Sequence, residues 1–460
     1  MAIARKQIVR IKNHKLSFMK HLLTTLLLLS VFCINLQAQI AIIPKPNEIK
    51  HNDGKFSYVK GFDVKIIRGD DPTKLIQKQF IDFVKEKNIP VVPFSPVTVS
   101  LNLLQAGSSA MLPESYTLSV IPNSIAISAT GNAGLFYGVQ SLEQLIKADS
   151  FKIIPCMEIK DVPAFSYRGF HLDAAHLFLS AEVIKQYLDA MAKLKLNQFH
   201  WQIADEQAWH IQLKSNDSLT SKVDFYTQEQ VKDIVKYAKD RYINVIPEIN
   251  LSSVSFGEDT TFQIRKNVLD EVTSLFPGAY IHLGKEINFT EETQRYLTSK
   301  SKKIIETDNS FFDKSVVQSY KNTGNGTKAA ALGNDVIMSP RNLCSLDFYQ
   351  DWDDEKKAFY MSFLPLDKAY SFSPVSKIKD EKILTHILGA QACAPTIYIK
   401  NTAQLEYLVF PRLLALAECM WTKKENKKFS DFEKRLKRQK NYFFKEKEEP
   451  KIDLVRIKTK

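Results

Sequence analysis

The spacing of apolar residues changes character near residue 160 of this 460-residue chain. Beyond that point, short apolar runs that suit strands alternate with segments whose apolar residues recur every three to four positions, as on one face of a helix. Three of these runs span residues 199–203, 245–249 and 280–284. A regular alternation of strands and helices is typical of a parallel barrel, so we expect residues 161–425 to form a TIM-type (β/α)8 barrel of the α/β class.

Two of the predicted barrel helices carry start signals. Ser180 is a suitable N-cap for a helix with Ile184 and Leu188 on one face, and Thr227 and Gln230 have the spacing of a capping box. Both signals predict helices that follow barrel strands.

Residues 39–160 have a mixed pattern and precede the barrel. Alternating apolar residues at 116–120 and 125–129 flank the turn-forming Pro122-Asn123-Ser124, which predicts a hairpin. A segment with helical period follows from residue 131. We expect a small α+β domain here.

The positive charge of the chain is concentrated at its two ends. Residues 1–38 hold six Lys or Arg and no acid, with an apolar run over residues 22–34, which is the pattern of a signal peptide; Met19 is an alternative start to Met1. We expect an exported protein, periplasmic or secreted, whose mature chain has no transmembrane helix.

The second basic region is the tail. Residues 423–460 carry a net charge of +8, while the body between signal and tail has about −2. We expect residues 426–460 to be a solvated basic tail, and we exclude nucleic acid as the partner because the charge does not lie on the folded body.

The cysteines give no sign of a metal site. The four that follow the signal are widely spaced without a C-x-x-C pair: Cys156, Cys344, Cys393 and Cys419. We expect small buried side chains, with one disulfide left open, and no metal or other cofactor.

Polar residues follow three predicted strands at the ends where βα loops of a barrel gather. Asp205 and Glu206 come after the first strand, Glu248 ends the second, and Lys285 and Glu286 come after the third. Carboxylates that converge on one rim favour acid–base or glycosidic chemistry, although salt-bridged structural carboxylates occupy the same place in many barrels.

Several motifs, in the same order along the chain, resemble glycoside hydrolase family 20, the β-N-acetylhexosaminidases. Residues 133–142 resemble the small domain of that family. The barrel motifs are Tyr167-Arg168-Gly169, Phe199-His200-Trp201, Pro247-Glu248-Ile249, His282-Leu283-Gly284, Val336-Ile337-Met338-Ser339-Pro340 and Phe410-Pro411-Arg412. The resemblance implies a carbohydrate partner, a glycan that ends in N-acetylhexosamine.

The resemblance also implies a mechanism. In this family the substrate's acetamido oxygen attacks the anomeric carbon, an Asp stabilises the resulting oxazolinium ion, and the next residue, a Glu, acts as acid and base. With a one-residue gap, Glu286 takes the acid/base position and Lys285 replaces the Asp; without the gap, Glu286 replaces the Asp and Ile287 the acid. Asn288 favours the gapped alignment. A cation at that position would repel the oxazolinium ion.

Other positions also depart from the family pattern. His176 stands where the family has an arginine that grips sugar hydroxyls, and Tyr320 stands in place of a tryptophan. The candidate substrate-binding residues are Asp173, His176, Asp205, Glu248, Lys285 and Tyr320, and Glu286 is the catalytic candidate. The motifs favour a glycan hydrolase, whereas the replacements favour an inactive secreted glycan-binding or scaffold relative.

Overall fold

The computed structural model describes residues 40–105, 107, 112–148, 151–204, 209–250, 261–284, 291–308, 315–351, 360–376 and 378–443. The first six strands are Glu48–Ser57 (β1), Asp63–Arg68 (β2), Thr98–Leu103 (β3), Tyr116–Ile121 (β4), Ser124–Ala129 (β5) and Ile153–Asp161 (β6). They form a mixed sheet in the order β1-β6-β4-β5-β3-β2. The predicted hairpin is confirmed, because β4 and β5 pair antiparallel across the turn.

Two helices pack on this sheet, α1 (Asp71–Glu86) and α2 (Asn132–Ala148). The apolar residues that give α2 its helical period, Leu135, Val139 and Leu142, are all buried. Residues 40–161 thus form the small α+β unit that the pattern predicts.

Eight parallel strands of the described chain close into a barrel. They are Tyr167–Asp173 (β7), Gln198–Gln202 (β8), Asn244–Glu248 (β9), Tyr280–His282 (β10), Lys303–Thr307 (β11), Val316–Ser319 (β12), Val336–Met338 (β13) and Ile387–Ala394 (β16). Their order is β10-β11-β12-β13-β16-β7-β8-β9. The predicted (β/α)8 class is therefore confirmed. A short pair, β14 (Phe348–Tyr349) and β15 (Tyr360–Phe363), lies between β13 and β16 in the chain.

Helices follow the strands as the sequence predicts. They are α3 (Ala181–Lys193), α4 (Gln228–Lys239), α5 (Thr261–Leu275), α6 (Glu291–Ser299), α7 (Thr323–Ala331), α8 (Arg341–Cys344), α9 (Leu366–Tyr370), α10 (Glu381–Leu384), α11 (Thr402–Val409), α12 (Arg412–Trp421) and α13 (Phe429–Phe443). Ser180 caps α3, and Thr227 and Gln230 form the predicted capping box of α4. In the part of the chain that is described, we find no helix of the length and apolarity that crossing a membrane requires.

The inside of the barrel changes from apolar to polar along its strands. Side chains alternate in direction along a strand, so every second residue of a barrel strand points inward. An apolar cluster of buried residues comprises Tyr167, Ile246, Ile305, Val316 and Ile337. Further toward the C-terminal ends, the side chains that contact one another are polar: His171, His200, Glu248, His282, Gln318 and Gln391.

The small unit and the base of the barrel share a buried polar network. Lys195, in the loop before β8, lies between Tyr116 Oη at 3.0 Å and Asp161 Oδ2 at 3.3 Å. The indole nitrogen of Trp421 donates to the same Asp161 oxygen at 3.0 Å. Arg168 of β7 pairs with Glu114 at 2.7 Å. These contacts join the two units on the side of the barrel away from the rim.

The four cysteines that follow residue 40 are buried, and each is a free thiol. Burial raises the pKa of Cys393 to about 12, so this thiol stays protonated at neutral pH. The expectation of small buried side chains is confirmed for Cys156, Cys344, Cys393 and Cys419.

Candidate active site

Asp173 ends β7 and organises the loop that follows. Its Oδ1 accepts from the backbone N–H groups of Ala175 at 3.0 Å and His176 at 3.1 Å. Its Oδ2 accepts from the His176 ring at 2.8 Å and from the Thr396 N–H at 3.0 Å. Burial alone would raise the pKa of Asp173, but these partners outweigh burial and hold the pKa below its ordinary value. The carboxylate therefore stays ionised and fixes two rim loops.

His176 is brought together with Asp173 by this contact. The imidazole side chain is 31% exposed, so its outer edge reaches solvent at the rim. The loop that carries it continues to Phe178, whose ring packs against His210 and Tyr226. The sequence-predicted pair Asp173 and His176 thus lies at the entrance of the barrel, with His176 as the solvent-facing member.

Glu248, at the end of β9, is surrounded by three imidazoles. Its Oε2 lies 2.9 Å from Nε2 of His200 and 3.3 Å from Nε2 of His171, and its Oε1 lies 3.6 Å from Nδ1 of His282. The rings of His200 and His171 have centroids 4.8 Å apart. The carboxylate that the sequence places among the substrate-binding candidates is thus engaged with side chains of three neighbouring strands.

Charge is distributed unevenly in this cluster. Burial would raise the pKa of Glu248, but the three imidazoles outweigh it and hold the pKa well below its ordinary value. Burial lowers the pKa of His200 to about 3 and also lowers the pKa of His282. Burial also acts to lower the pKa of His171, but the nearby Glu248 carboxylate outweighs burial, and the pKa is raised. An ionised carboxylate, a partly charged His171 and two neutral histidines result.

The cluster contains side chains of the types that can bind a cation. His171, His200 and Glu248 offer ligand atoms within 4.8 Å of one another. Gln391, however, donates from Nε2 to Nδ1 of His200 at 3.1 Å, and this puts the proton of the neutral ring on Nε2, which faces Glu248. In this tautomer Nε2 of His200 carries the proton and is not available as a metal ligand.

Tyr320 follows β12 and faces a second part of the rim. Burial raises the pKa of Tyr320 above its usual range, and Cys393, Asp347 and Ser345 are among the groups that interact with its hydroxyl. The segment with these two residues is tied to the end of β16, because the Leu346 N–H donates to the Cys393 carbonyl at 2.7 Å. Burial also raises the pKa of Asp347, although Ser345 donates to it at 2.6 Å. Tyr320 and Asp347 therefore lie near enough to interact electrostatically.

Four of the residues predicted at the rim lie outside the described residues, namely Asp205, Glu206, Lys285 and Glu286. Trp209 pairs with Ala204 across the gap that holds the first two. Gly284, directly before the second pair, has φ +75° and donates its N–H to Nδ1 of His282 at 3.0 Å.

Sequence reasoning missed His171, Gln391 and Asp347 as parts of the site. The alternation of β7 could have indicated His171, since it lies two positions before Asp173 and so points to the same side of the strand. Gln391 lies on β16, and only the closed barrel brings its amide to His200, which is 191 residues away in the chain. Asp347 has no local signal, because only the pairing of Leu346 with Cys393 brings it to the rim.

A closed (β/α)8 barrel with carboxylates and histidines gathered at its C-terminal rim is an architecture that glycoside hydrolases share with other barrel enzymes. The family model described as "Glycosyl hydrolase family 20, catalytic domain" matches residues 165–254 and 285–424, and the model for domain 2 of that family matches residues 39–162. The chain belongs to glycosyl hydrolase family 20.

Relatives and solved structures agree with this family. A β-hexosaminidase of Porphyromonas gingivalis is 31% identical over 73% of this chain, which spans 54% of the relative's length. A β-hexosaminidase of Vibrio furnissii is 26% identical over 83% of this chain and 76% of its own. The exo-β-N-acetylglucosaminidase of Vibrio harveyi, solved with N-acetylglucosamine, has a TM-score of 0.78 at 25% identity and covers 88% of this chain and 77% of its own.

Proposed function

We propose that this protein binds N-acetylhexosamine at the ends of glycans and hydrolyses the glycosidic bond poorly. The ligand class is supported by the relatives, which are named β-hexosaminidases, and by the similar Vibrio harveyi structure, which contains N-acetylglucosamine. The rim at the C-terminal ends of the barrel strands is the site.

The observation that carries the proposal is the lysine that directly precedes Glu286. At about 4 Å and an effective dielectric near 20, exchange of a carboxylate for an ammonium changes an attraction of about 4 kcal/mol toward a nascent cation into a repulsion of similar size. Electrostatic stabilisation of this kind is usually a large part of catalysis. Lys285 therefore removes a contribution that substrate-assisted hydrolysis needs.

The described carboxylates of the rim do not supply a substitute. Asp173 is saturated by the two loops that it fixes, and Glu248 is held by three histidines. Asp347 has a raised pKa because it is buried, which makes it a weaker stabiliser of a cation. These groups favour binding of a neutral sugar over stabilisation of a cationic intermediate.

The rim retains groups that suit sugar hydroxyls. Asp347 can accept from a hydroxyl, Tyr320 can donate or accept, and the His176 side chain is 31% exposed. An aromatic ring beside polar groups is a common arrangement for a sugar, whose ring has an apolar face. Affinity for the ligand is therefore expected even where turnover is slow.

A second candidate function is slow hydrolysis through Glu286 as general acid and base. The observation that favours it is the intact approach to this residue: β10 is a barrel strand, and the glycine turn at Gly284 is formed. In the gapped alignment Glu286 keeps its position after this turn.

One set of measurements tests both candidates. The purified protein is expected to bind chitobiose in calorimetry and to release little aryl alcohol from an aryl N-acetyl-β-glucosaminide. Lys285→Asp is expected to raise the release at least about tenfold, because it returns a carboxylate to the site. The matched control Lys232→Asp, on the exposed side of α4, should change nothing. Wild-type turnover at ordinary rates for the family, abolished by Glu286→Gln, would overturn the proposal.

We also propose that the protein is exported with cleavage near residue 38. The basic and apolar pattern of residues 1–38 supports this. Fractionation of cells that express the full chain, with N-terminal sequencing of the product, tests it. An intact N-terminus in the cytoplasmic fraction would contradict the proposal.

A further inference from the structure

The last residue of β10 makes an unusual local hydrogen bond. Nδ1 of His282 accepts from the backbone N–H of Gly284, two residues later, at 3.0 Å. This is the pattern that Asn and Asp side chains form in Asx-turns, with an imidazole nitrogen in place of the side-chain oxygen. Gly284 has φ +75°, a left-handed conformation that glycine adopts readily. The imidazole and the glycine together define the turn that leaves the strand.

The hydrogen bond requires one form of the histidine. A nitrogen that accepts cannot carry a proton, so the ring must be neutral with its proton on Nε2. The surroundings agree with this: burial lowers the pKa of His282. The groups that face the ring are Glu248 of β9, His200 of β8, His171 of β7 and Gln318 of β12.

Protonation of the ring would change its partner. Nδ1 lies 3.6 Å from Oε1 of Glu248, so a proton on this nitrogen would point toward the carboxylate and could no longer accept from Gly284. The turn would then lose its side-chain partner. The neutral and protonated rings therefore support two different arrangements of the end of β10.

We infer that His282 is a positioning residue: its neutral imidazole holds the Gly284 turn at the C-terminal end of β10, and glycan binding at the rim depends on that turn. The dependence of glycan binding on the turn rests on the proposed function. The role of His282 in holding the Gly284 turn can be tested without a ligand.

The test compares two substitutions at one position. His282→Asn keeps an acceptor for the Gly284 N–H, now in a true Asx-turn, and does not titrate as an imidazole does. His282→Leu is similar in bulk and has no acceptor. Exchange of the Gly284 amide with solvent, corrected for intrinsic rates, is measured by nuclear magnetic resonance or by mass spectrometry of short peptides. Chitobiose affinity is measured on the same preparations.

We expect Gly284 protection in His282→Asn to match the wild type, and in His282→Leu to fall at least about tenfold, as expected for the loss of one hydrogen bond. On acidification below the ordinary titration range of histidine, wild-type protection should fall as the ring takes up its proton, whereas His282→Asn should stay protected. Chitobiose affinity should follow protection in each protein.

The outcomes separate the two proposals. Equal protection of Gly284 in wild type and His282→Leu would overturn the positioning role, whatever the ligand does. If His282→Leu does not fold, loss of the pH response in His282→Asn supports the role and an unchanged response contradicts it. Protection as expected without chitobiose binding in any protein would overturn the proposed function and leave the turn assignment in place.

Discussion

The hydroxyl of Tyr442 donates a hydrogen bond to Oε2 of Glu143 at 3.1 Å, and this contact joins the C-terminal helix α13 to helix α2 of the small unit. Both side chains are buried, and Glu143 is only 6% exposed. Burial raises the pKa of Glu143 to about 7, although the hydrogen bond acts in the opposite direction. A titratable group therefore lies where α13 packs on α2. The prediction of a solvated tail is wrong for this helix, because its side chains Phe432, Leu436 and Gln439 are buried.

Stability should fall as the pH rises through the range of Glu143. Its ordinary pKa is 4.5 and its folded pKa is about 7, so the folded chain binds the proton more tightly. The resulting stabilisation is complete below about pH 4.5 and is lost by about pH 7, a change of about 3 kcal/mol for this group. Glu143→Gln should remove that slope in urea unfolding. Glu229→Gln, at an exposed position of α4, should keep it.

Removal of the buried Lys195 amine at the base of the barrel should lower the free energy of unfolding strongly. Lys195→Met leaves the Asp161 carboxylate without its cation inside the protein, and we expect a loss of about 3–5 kcal/mol of unfolding free energy. Lys185→Met, which breaks a partly exposed pair with Asp233, should cost at most about 1 kcal/mol. A loss from Lys195→Met no larger than that of this control would show that the amine is not structural.

The Gln391 amide should contribute more to the free energy of unfolding than the Tyr167 hydroxyl. Tyr167 donates to Oε1 of Gln391 at 2.8 Å, and Nε2 of Gln391 donates to Nδ1 of His200 at 3.1 Å. Gln391→Leu leaves two buried polar groups unpaired and should cost about 2–5 kcal/mol. Tyr167→Phe leaves one and should cost less. Equal losses of unfolding free energy for Gln391→Leu and Tyr167→Phe in chemical denaturation would contradict this chain of hydrogen bonds.

Asp347 should contribute to binding. If its carboxylate accepts from a sugar hydroxyl, Asp347→Ala lowers chitobiose affinity about tenfold in calorimetry. Asp82→Ala, on the small unit, is the control and should leave affinity unchanged. Thermal unfolding of both variants separates a binding defect from a folding defect. Unchanged affinity of a folded Asp347→Ala protein would remove this residue from the site.

The fold could be predicted because its signals are local. Each strand is a short apolar run, and each helix shows its period and cap within a few residues, as at Ser180 and Thr227. Closure of the barrel then follows from the regular alternation.

The contacts of the site are not local, so the sequence could give the candidates but not their partners. Asp173 accepts from Thr396, which is 223 residues away in the chain, and Glu248 meets His171 and His282 from two other strands. The family resemblance indicated the positions of Asp173, Glu248 and His282, but it could not show that three imidazoles surround one carboxylate. Only the register of the closed barrel does that.

The network that joins Lys195, Asp161 and Trp421 lies at the end of the barrel away from the rim. A substitution at the rim therefore leaves the anchorage between the two units intact, and new side chains can be introduced there without loss of the scaffold. This separation makes the chain a suitable host for redesign, in which residues of the rim are exchanged one at a time while the scaffold is kept.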